Sequence, residues 1–173
     1  MSESREQTIE LDVDGEMIDV VVRPHSLLSD ALRVGCGRTG VKEGCESASC
    51  GACTVLMDDK PILSCITLAL DAVGRKIRTV EGLSPADKPL HPLQEAFMRH
   101  HAVQCGFCTP GMLLSAVALL EGNPHPSEDE IRSAISGNVC RCTGYVRIVH
   151  AIADVANASA GAASRRSEET IAS

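Results

Sequence analysis

The first part of the chain alternates apolar and polar residues in the manner of strands with one buried face. Between residues 7 and 23, apolar side chains recur at every second position on both sides of Asp14-Gly15. A period of two predicts β-strands, and an Asp-Gly pair between two such runs predicts a β-hairpin. Further elements are predicted in the same half: an amphipathic helix at 27–33 and short strands at 54–57, 61–66 and 76–80. Together they indicate a small α+β domain.

The pattern changes after Gly82, beyond which only helical periodicity appears. Four helices are predicted, at 90–101, 110–121, 127–136 and 145–157. Ser127 followed by Glu130 is a capping box, which marks the start of the third of them. Four helices with brief connections imply a compact bundle, and we place the domain boundary near residues 82–90. The Ala- and Ser-rich residues 158–173 hold almost no large apolar side chain and are predicted to form a disordered tail.

Composition narrows the classes of function. The 173 residues carry a net charge of −7 and contain no Lys- or Arg-rich run with interleaved aromatics, which disfavours nucleic-acid and anionic-membrane partners. The longest apolar run, Met112 to Leu120, is too short to span a membrane. Residues 1–7 show no secretory signal, so we expect a cytoplasmic protein. Nine cysteines in a reducing compartment suggest metal ligands rather than disulfides.

The first group of cysteines lies in a Gly- and Ser-rich stretch without periodicity. Its members are Cys45, Cys50, Cys53 and Cys65. They follow the pattern C-x4-C-x2-C with a later fourth cysteine, which is the ligand spacing of plant-type two-iron, two-sulfur (2Fe-2S) clusters. A four-cysteine zinc site stays an alternative, although such sites more often use two C-x2-C pairs. Gly44 and Gly51 allow the backbone to approach the sulfurs. Cys36 lies outside the pattern and is interpreted as a packing residue.

The second group is divided between two short motifs, each just before a predicted helix. Cys105 and Cys108 form a C-x2-C pair, and Cys140 and Cys142 form a C-x-C pair. A helix N-terminus presents free N–H groups and the positive end of the helix dipole, which favour anionic thiolates. Two such helices side by side would bring four thiolates together. Spacing alone does not select iron over zinc here, and a thioredoxin-like dithiol would leave one pair without a role.

Three motifs give the sequence a specific resemblance to a known family. Residues 50–55 read CGACTV, residues 104–111 read QCGFCTPG and residues 137–145 read GNVCRCTGY. In this order they closely resemble the iron-sulfur subunit of the molybdenum hydroxylases, the family of xanthine oxidase and carbon monoxide dehydrogenase. The resemblance extends from about residue 8 to residue 157, and it favours 2Fe-2S clusters over zinc at both cysteine groups.

The resemblance implies a fold, cofactors and partners. The fold is an N-terminal ferredoxin-like β-grasp domain, residues 1–82, followed by a C-terminal four-helix bundle domain, residues 83–157. Each domain would hold one cluster, and single electrons would pass between molybdopterin, often as its cytosine dinucleotide, and FAD. A molybdenum-binding large subunit and a FAD-binding medium subunit would join this chain in a dimer of heterotrimers. No substrate site is expected on this chain, and Gln104 and Cys142 are implied pterin contacts.

Two other functions are compatible with the cysteine spacing. A freestanding two-cluster ferredoxin-like carrier would need no second domain, so the paired groups disfavour it. A zinc-stapled interaction module would be colourless when purified. Arg141, between two predicted ligands, would tune a cluster's potential, pair with an anionic group of a partner, or remain a solvated charge. The adjacent His100 and His101 point to different sides of a helix and are interpreted as surface residues.

Overall fold

The computed structural model describes the backbone of residues 5–171 and the side chains of residues 5–158. Five strands form one mixed sheet in the order β2-β1-β5-β3-β4. They are β1 (Gln7–Val13), β2 (Glu16–Val22), β3 (Thr54–Met57), β4 (Lys60–Leu63) and β5 (Lys76–Arg78). β1 and β5 run parallel, and the other neighbouring pairs run antiparallel. With helices filling the rest of the fold, the α+β class is confirmed.

Two tight turns connect the hairpin strands. Asp14 and Gly15 have φ values of 59° and 83°, so both central residues of the first turn are left-handed, as a type I′ turn requires. Asp58 and Asp59, with φ values of 48° and 64°, make the same kind of turn between β3 and β4. The predicted hairpin is therefore confirmed and follows from the Asp-Gly pair itself, and β3 and β4 form a second hairpin.

The helix of the first half differs from the predicted one. The α-helical part is short, α1 (Leu28–Asp30), and it continues as a π-helical turn, Ala31–Gly35. The Cys36 N–H donates to the Ala31 carbonyl at 2.9 Å, five residues back. The wide turn ends where the backbone lies against β2, since a Cβ on Gly35 would lie 2.2 Å from Val20 Cγ1. Hydrophobic periodicity does not distinguish this turn from an α-helix.

The second half is helical over its described residues. Its helices are α2 (Val80–Leu83), α3 (Pro92–Arg99), α4 (Thr109–Gly122), α5 (Glu128–Ala134) and α6 (Val146–Ile171). The capping box is confirmed: the Glu130 N–H donates to Ser127 Oγ at 3.3 Å, and the Ser127 N–H donates to Glu130 Oε2 at 2.7 Å. The four helices α3 to α6 pack on one another. No helix within residues 5–171 is long and apolar enough to cross a membrane.

The final helix is longer than the sequence pattern predicted. It was expected to end at residue 157, whereas α6 has the bounds Val146–Ile171. The correction has a local reason, because Ala and Glu, which are frequent beyond residue 157, have high helix propensity even without an apolar stripe. The predicted disordered tail, residues 158–173, falls almost wholly on residues whose side chains lie outside the described part of the chain.

Two separate hydrophobic clusters lie in the two halves. The cluster under the sheet includes Leu11, Val13, Leu28, Leu32, Val55 and Ile77. The cluster among the helices includes Leu93, Phe97, Met112, Leu114, Ile148 and Ile152. Cys36, 8% exposed, packs in the first cluster, as expected for a residue outside the ligand pattern. The domain boundary near residues 82–90 stays a prediction.

Helix α4 makes the main contacts between the two halves. It packs on β3, whose Leu56 belongs to the helical cluster. Near its C-terminal end, both carboxylate oxygens of Glu121 accept hydrogen bonds from Arg78 of β5, at 2.9 and 2.6 Å. Near its N-terminal end, Gly111 faces the loop before β3, and a Cβ at this position would lie 2.5 Å from the Gly51 carbonyl oxygen. The helix is thus held to the sheet domain at both ends.

We predict opposite effects for alanine at the two glycines of α4. Gly111→Ala would force apart two backbones that cannot yield, and should lower the free energy of unfolding by about 1–3 kcal/mol. Gly122→Ala is the matched control, because nothing lies within 4 Å of a Cβ there. It should raise stability by about 0.4–1 kcal/mol, since it restricts the unfolded chain. Thermal unfolding followed by circular dichroism compares them, and equal midpoints would contradict the close contact.

Candidate metal centres

The first cysteine group surrounds the loop that leads into β3. Cys45 and Cys50 lie within the loop, Cys53 immediately precedes Thr54 at the start of β3, and Cys65 lies in a 3₁₀ turn, Ser64–Ile66, directly after β4. The fourth cysteine therefore comes from a turn, whereas the sequence pattern had placed it inside a strand. Three residues of the loop adopt positive φ: Glu46 at 51°, Ala48 at 61° and Gly51 at 69°. These conformations fold the loop back on itself.

The thiols of this group lie in two pairs. Cys45 contacts Cys50, and Cys53 contacts Cys65. Hydrogen bonds from the Ser47 backbone and side chain, together with the Ser49 N–H at 3.3 Å, lower the pKa of Cys45 to about 6. Burial acts in the opposite direction on Cys53 and raises its pKa to about 11. The loop therefore aims N–H groups at one sulfur while another lies in the core.

The second cysteine group is formed where two loops meet above α4 and α6. The sulfurs of Cys105 and Cys142 are 3.5 Å apart at the surface, and Cys108 contacts the buried Cys140. Cys108 occupies the N-cap position of α4, as the motif suggested. The helix terminus does not dominate its electrostatics, however, because burial raises the pKa of Cys108 to about 12. In the same motif, hydrogen bonds led by that of the Phe107 backbone lower the pKa of Cys105, so the two thiols of this motif differ.

Local hydrogen bonds fix the loop that carries Cys140. The Tyr145 hydroxyl accepts a hydrogen bond from the Cys140 N–H at 2.8 Å, and Thr143 Oγ1 lies 3.1 Å from Cys140 Sγ. The Tyr145 N–H donates to the same Thr143 oxygen at 3.2 Å. Tyr145 has a φ of 68°, an uncommon conformation for a non-glycine residue. The loop is thus shaped by side chains that point back at the cysteine.

The second cysteine group lines a cleft that also includes Cys50 of the first group. The cleft has a volume of about 190 Å³ and is lined by Gly44, Cys50, Ala52, Cys105, Phe107, Cys108, Val139, Cys140, Arg141 and Cys142. Gly44 leaves space for the nearby sulfur, since a Cβ there would lie 3.1 Å from Cys50 Sγ and 3.3 Å from the Phe107 ring. The fold therefore brings members of both groups to a shared surface, which the sequence alone did not indicate.

A buried asparagine joins the two loops beneath the cleft. Asn138 is 3% exposed, and its Nδ2 donates to the Gly51 carbonyl at 2.8 Å and to Thr54 Oγ1 at 3.1 Å. Its Oδ1 accepts from Ser115 Oγ of α4 at 2.7 Å. Sequence reasoning gave Asn138 no role. Its place between Gly137 and the cysteine motif was the available signal, and its partners are distant in sequence.

The remaining predicted residues lie at the surface. Gln104, Arg141 and Cys142 are exposed on the rim of the second cysteine group. A pterin contact by Gln104 and Cys142 stays a prediction. His100 Nε2 lies 3.0 Å from Asp154 Oδ2 on α6, and His101 is exposed, so the two histidines are not directed at a common point.

Both halves of the chain match known iron-sulfur domains, and the whole chain has relatives of similar length. Residues 11–72 match the model of a 2Fe-2S iron-sulfur cluster binding domain, and residues 79–153 match that of a second 2Fe-2S binding domain. The chain is 55% identical over 146 residues to the nicotine 6-hydroxylase small subunit of Paenarthrobacter nicotinovorans, covering 84% of this chain and 87% of that protein. It is 48% identical to the nicotinate dehydrogenase small FeS subunit of Eubacterium barkeri, covering 84% and 92%.

Solved structures agree with these sequence relatives. A chain of quinoline 2-oxidoreductase from Pseudomonas putida 86 superposes with a TM-score of 0.85 at 52% identity, covering 91% of this chain and 96% of that one. Aldehyde oxidoreductase from Desulfovibrio desulfuricans superposes with a TM-score of 0.84 at 43% identity, and this chain covers 17% of its length. The same fold therefore occurs as a separate chain and as a part of a much longer one. The expected order of a ferredoxin-like domain and a helical domain is confirmed.

Proposed function

Because the chain belongs to the iron-sulfur subunits of the multi-subunit molybdenum hydroxylases, we propose that it relays single electrons between a molybdopterin centre and FAD on partner subunits. Two bound 2Fe-2S clusters would each take up and release one electron. The observation that carries the proposal is the presence of two four-cysteine groups that meet at one cleft, where Cys50 of the first group lies beside the four cysteines of the second. We assign no substrate site to this chain.

The cysteines suit a two-iron centre in number and arrangement. We propose that Cys45, Cys50, Cys53 and Cys65 hold the first cluster and that Cys105, Cys108, Cys140 and Cys142 hold the second. Each group consists of two thiol pairs, and a 2Fe-2S cluster needs two thiolates for each iron. A zinc ion instead needs four ligands around one point. Within the described residues, no three His, Cys, Asp or Glu side chains are grouped to hold a single ion.

The positions of the two groups favour a relay over a freestanding carrier. The first group belongs to the sheet domain, and the second is open at the surface through Cys105 and Cys142. Two neighbouring centres on one chain could each exchange electrons with a different partner subunit, which suits a fixed complex. We propose a molybdenum-binding large subunit beside the second group, with Gln104 and Cys142 contacting the pterin, and a FAD-binding medium subunit near the first.

We also propose an assembly and a location for the chain. The relatives are named as small or iron-sulfur subunits, so a complex of several chains is the expected context. We propose a dimer of heterotrimers in the cytoplasm, with the pterin present as its cytosine dinucleotide. The freestanding two-cluster carrier is the alternative, and it would be purified without flavin or molybdenum.

Iron content and paramagnetic resonance test the ligand assignment. The complex reduced with dithionite should contain about four iron atoms per copy of this chain and show two distinguishable spin-half signals. Cys65→Ala should remove the first signal, and Cys108→Ala should remove the second. Each substitution should also remove about half of the iron. Cys36→Ala is the matched control, because this buried cysteine lies outside both groups, and it should keep all of the iron. Zinc in either group, or one signal in the unmodified complex, would contradict the assignment.

Copurification tests the role in a complex. A tagged copy of this chain, expressed in its native source and purified gently, should retain a flavin-containing and a molybdenum-containing polypeptide in equal amounts. The measurement is the stoichiometry of FAD, molybdenum and iron in the purified sample. A two-cluster protein that elutes alone at low salt would instead support the freestanding carrier.

A hydroxyl beside Cys140 should tune the second centre. A hydrogen bond to a ligand sulfur favours the more negative, reduced state, so losing the Thr143 hydroxyl should lower the reduction potential. We expect Thr143→Val to lower it by roughly 40 mV, which corresponds to about 1 kcal/mol for one electron. Thr143→Ser keeps the hydroxyl and serves as the control. A redox titration of both signals measures the effect, and an unchanged potential in Thr143→Val would refute it.

A further inference from the structure

One backbone hydrogen bond links the two cysteine groups directly. The carbonyl oxygen of Cys50, in the first group, accepts from the N–H of Val139 at 2.8 Å. Val139 is bonded to Cys140 of the second group. From one cysteine to the other, the path therefore consists of covalent bonds interrupted by a single hydrogen bond.

The two loops approach too closely at this point for their contact to be incidental. Gly51 has a φ of 69°, and a Cβ on it would lie 2.2 Å from the Gly137 carbonyl oxygen and 2.9 Å from Asn138 Cα. Backbone thus lies against backbone, with the Asn138 side chain beside the contact, its Nδ2 2.7 Å from that Cβ position. Neither cysteine group requires this contact to hold its own metal, because each takes its four thiols from its own half of the chain.

The carbonyl next to the link is held by more partners than a loop peptide usually has. The Gly51 oxygen accepts from Asn138 Nδ2 at 2.8 Å, from Thr54 Oγ1 at 2.7 Å and from the Thr54 N–H at 3.1 Å. Asn138 in turn is fixed to α4 by Ser115. The bonds of Asn138 to Gly51 and Thr54 connect the two loops, so its side chain determines where the Cys50 carbonyl lies relative to the Val139 N–H.

We propose that this hydrogen-bonded link between Cys50 and Val139 is the route by which an electron crosses between the two centres, and that Asn138 is the positioning residue that maintains it. The inference rests on the proposed function. One electron leaves the reduced centre and one is gained by the oxidised centre, so that no atom or proton is transferred. Tunnelling decays less steeply through covalent and hydrogen bonds than through an empty gap. The competing route passes through the cleft beside the half-exposed Phe107.

The test compares two variants that each remove two side-chain hydrogen bonds between the same two halves. Asn138→Ala removes those to Gly51 and Thr54, next to the link. Glu121→Ala removes the two from Arg78, at the other end of α4. In the intact complex, one centre is reduced rapidly by one electron. The two paramagnetic signals then report the rate at which the electron moves from one centre to the other. Asn138→Ala should slow this transfer by about an order of magnitude, and Glu121→Ala should leave it at the wild-type rate.

Iron content, both signals and both reduction potentials are recorded first in the unmodified complex and in each variant. Loss of either centre from the unmodified complex would be a failure of the proposed function, whereas two intact centres isolate the further inference. A wild-type transfer rate in Asn138→Ala, or an equal slowing in Glu121→Ala, would overturn the positioning role. An order-of-magnitude slowing in Phe107→Ala with no effect in Asn138→Ala would assign the crossing to the cleft.

A measurement on the unmodified complex does not depend on whether any variant folds. The Val139 side chain is 53% exposed, so an ordinary surface amide at this position would exchange its hydrogen quickly. The link requires slow exchange, which mass spectrometry with fragmentation can resolve at a single residue. Rapid exchange at Val139 would show that the hydrogen bond is not maintained and would overturn the route.

Discussion

The fold depends on a buried amide that joins two loops whose backbones touch. Asn138 is almost fully buried and uses both ends of its side chain, with two donated hydrogen bonds to one loop and one accepted from α4. A buried amide without partners costs several kcal/mol by the largest transfer estimates, so an arrangement that satisfies this one is strongly selected over its neighbours. The same side chain therefore specifies the relative position of the sheet domain and the helical domain. Each domain has a hydrophobic cluster, and the helical cluster also includes Leu56 of β3, so apolar packing supports the same arrangement.

Helix α4 converts this local constraint into a rigid connection. Its first turn is held near the Gly51 carbonyl, Ser115 one turn later meets Asn138, and Glu121 at the far end binds Arg78. The helix also carries Cys108 at its N-cap. The contacts of Gly111 and Ser115 hold the cysteine-bearing end of α4 to the sheet domain, and the Arg78–Glu121 pair holds the other end. The spacing of the two cysteine groups therefore depends on the contacts at the first of these ends.

The sequence could predict interactions between residues that are close along the chain, but not those between residues that are far apart. The Asp14-Gly15 turn and the Ser127 capping box involve neighbours in the chain, so residue type and spacing were sufficient. The cysteine groups also followed from spacing, because ligand chemistry restricts it. The roles of Asn138 and Gly111 could not be found in this way, since their partners lie far along the chain and become neighbours only in the folded protein. The π-helical turn Ala31–Gly35 and the extension of α6 beyond residue 157 were missed because periodicity reports burial and not backbone geometry.

The surface around the second cysteine group bears on why the chain would work in a permanent complex. Cys105 and Cys142 are exposed, and four apolar side chains beside this group are also exposed: Val103 at 38%, Phe107 at 46%, Val139 at 53% and Val146 at 49%. A freestanding carrier with this face in water would leave both the apolar surface and the sulfurs of Cys105 and Cys142 unprotected against solvent and oxidants. A partner that covers the face would bury the apolar area, exclude water from the sulfurs and shorten the distance for electron transfer. These three advantages all require the same surface, which is why we favour a fixed relay over a diffusing one.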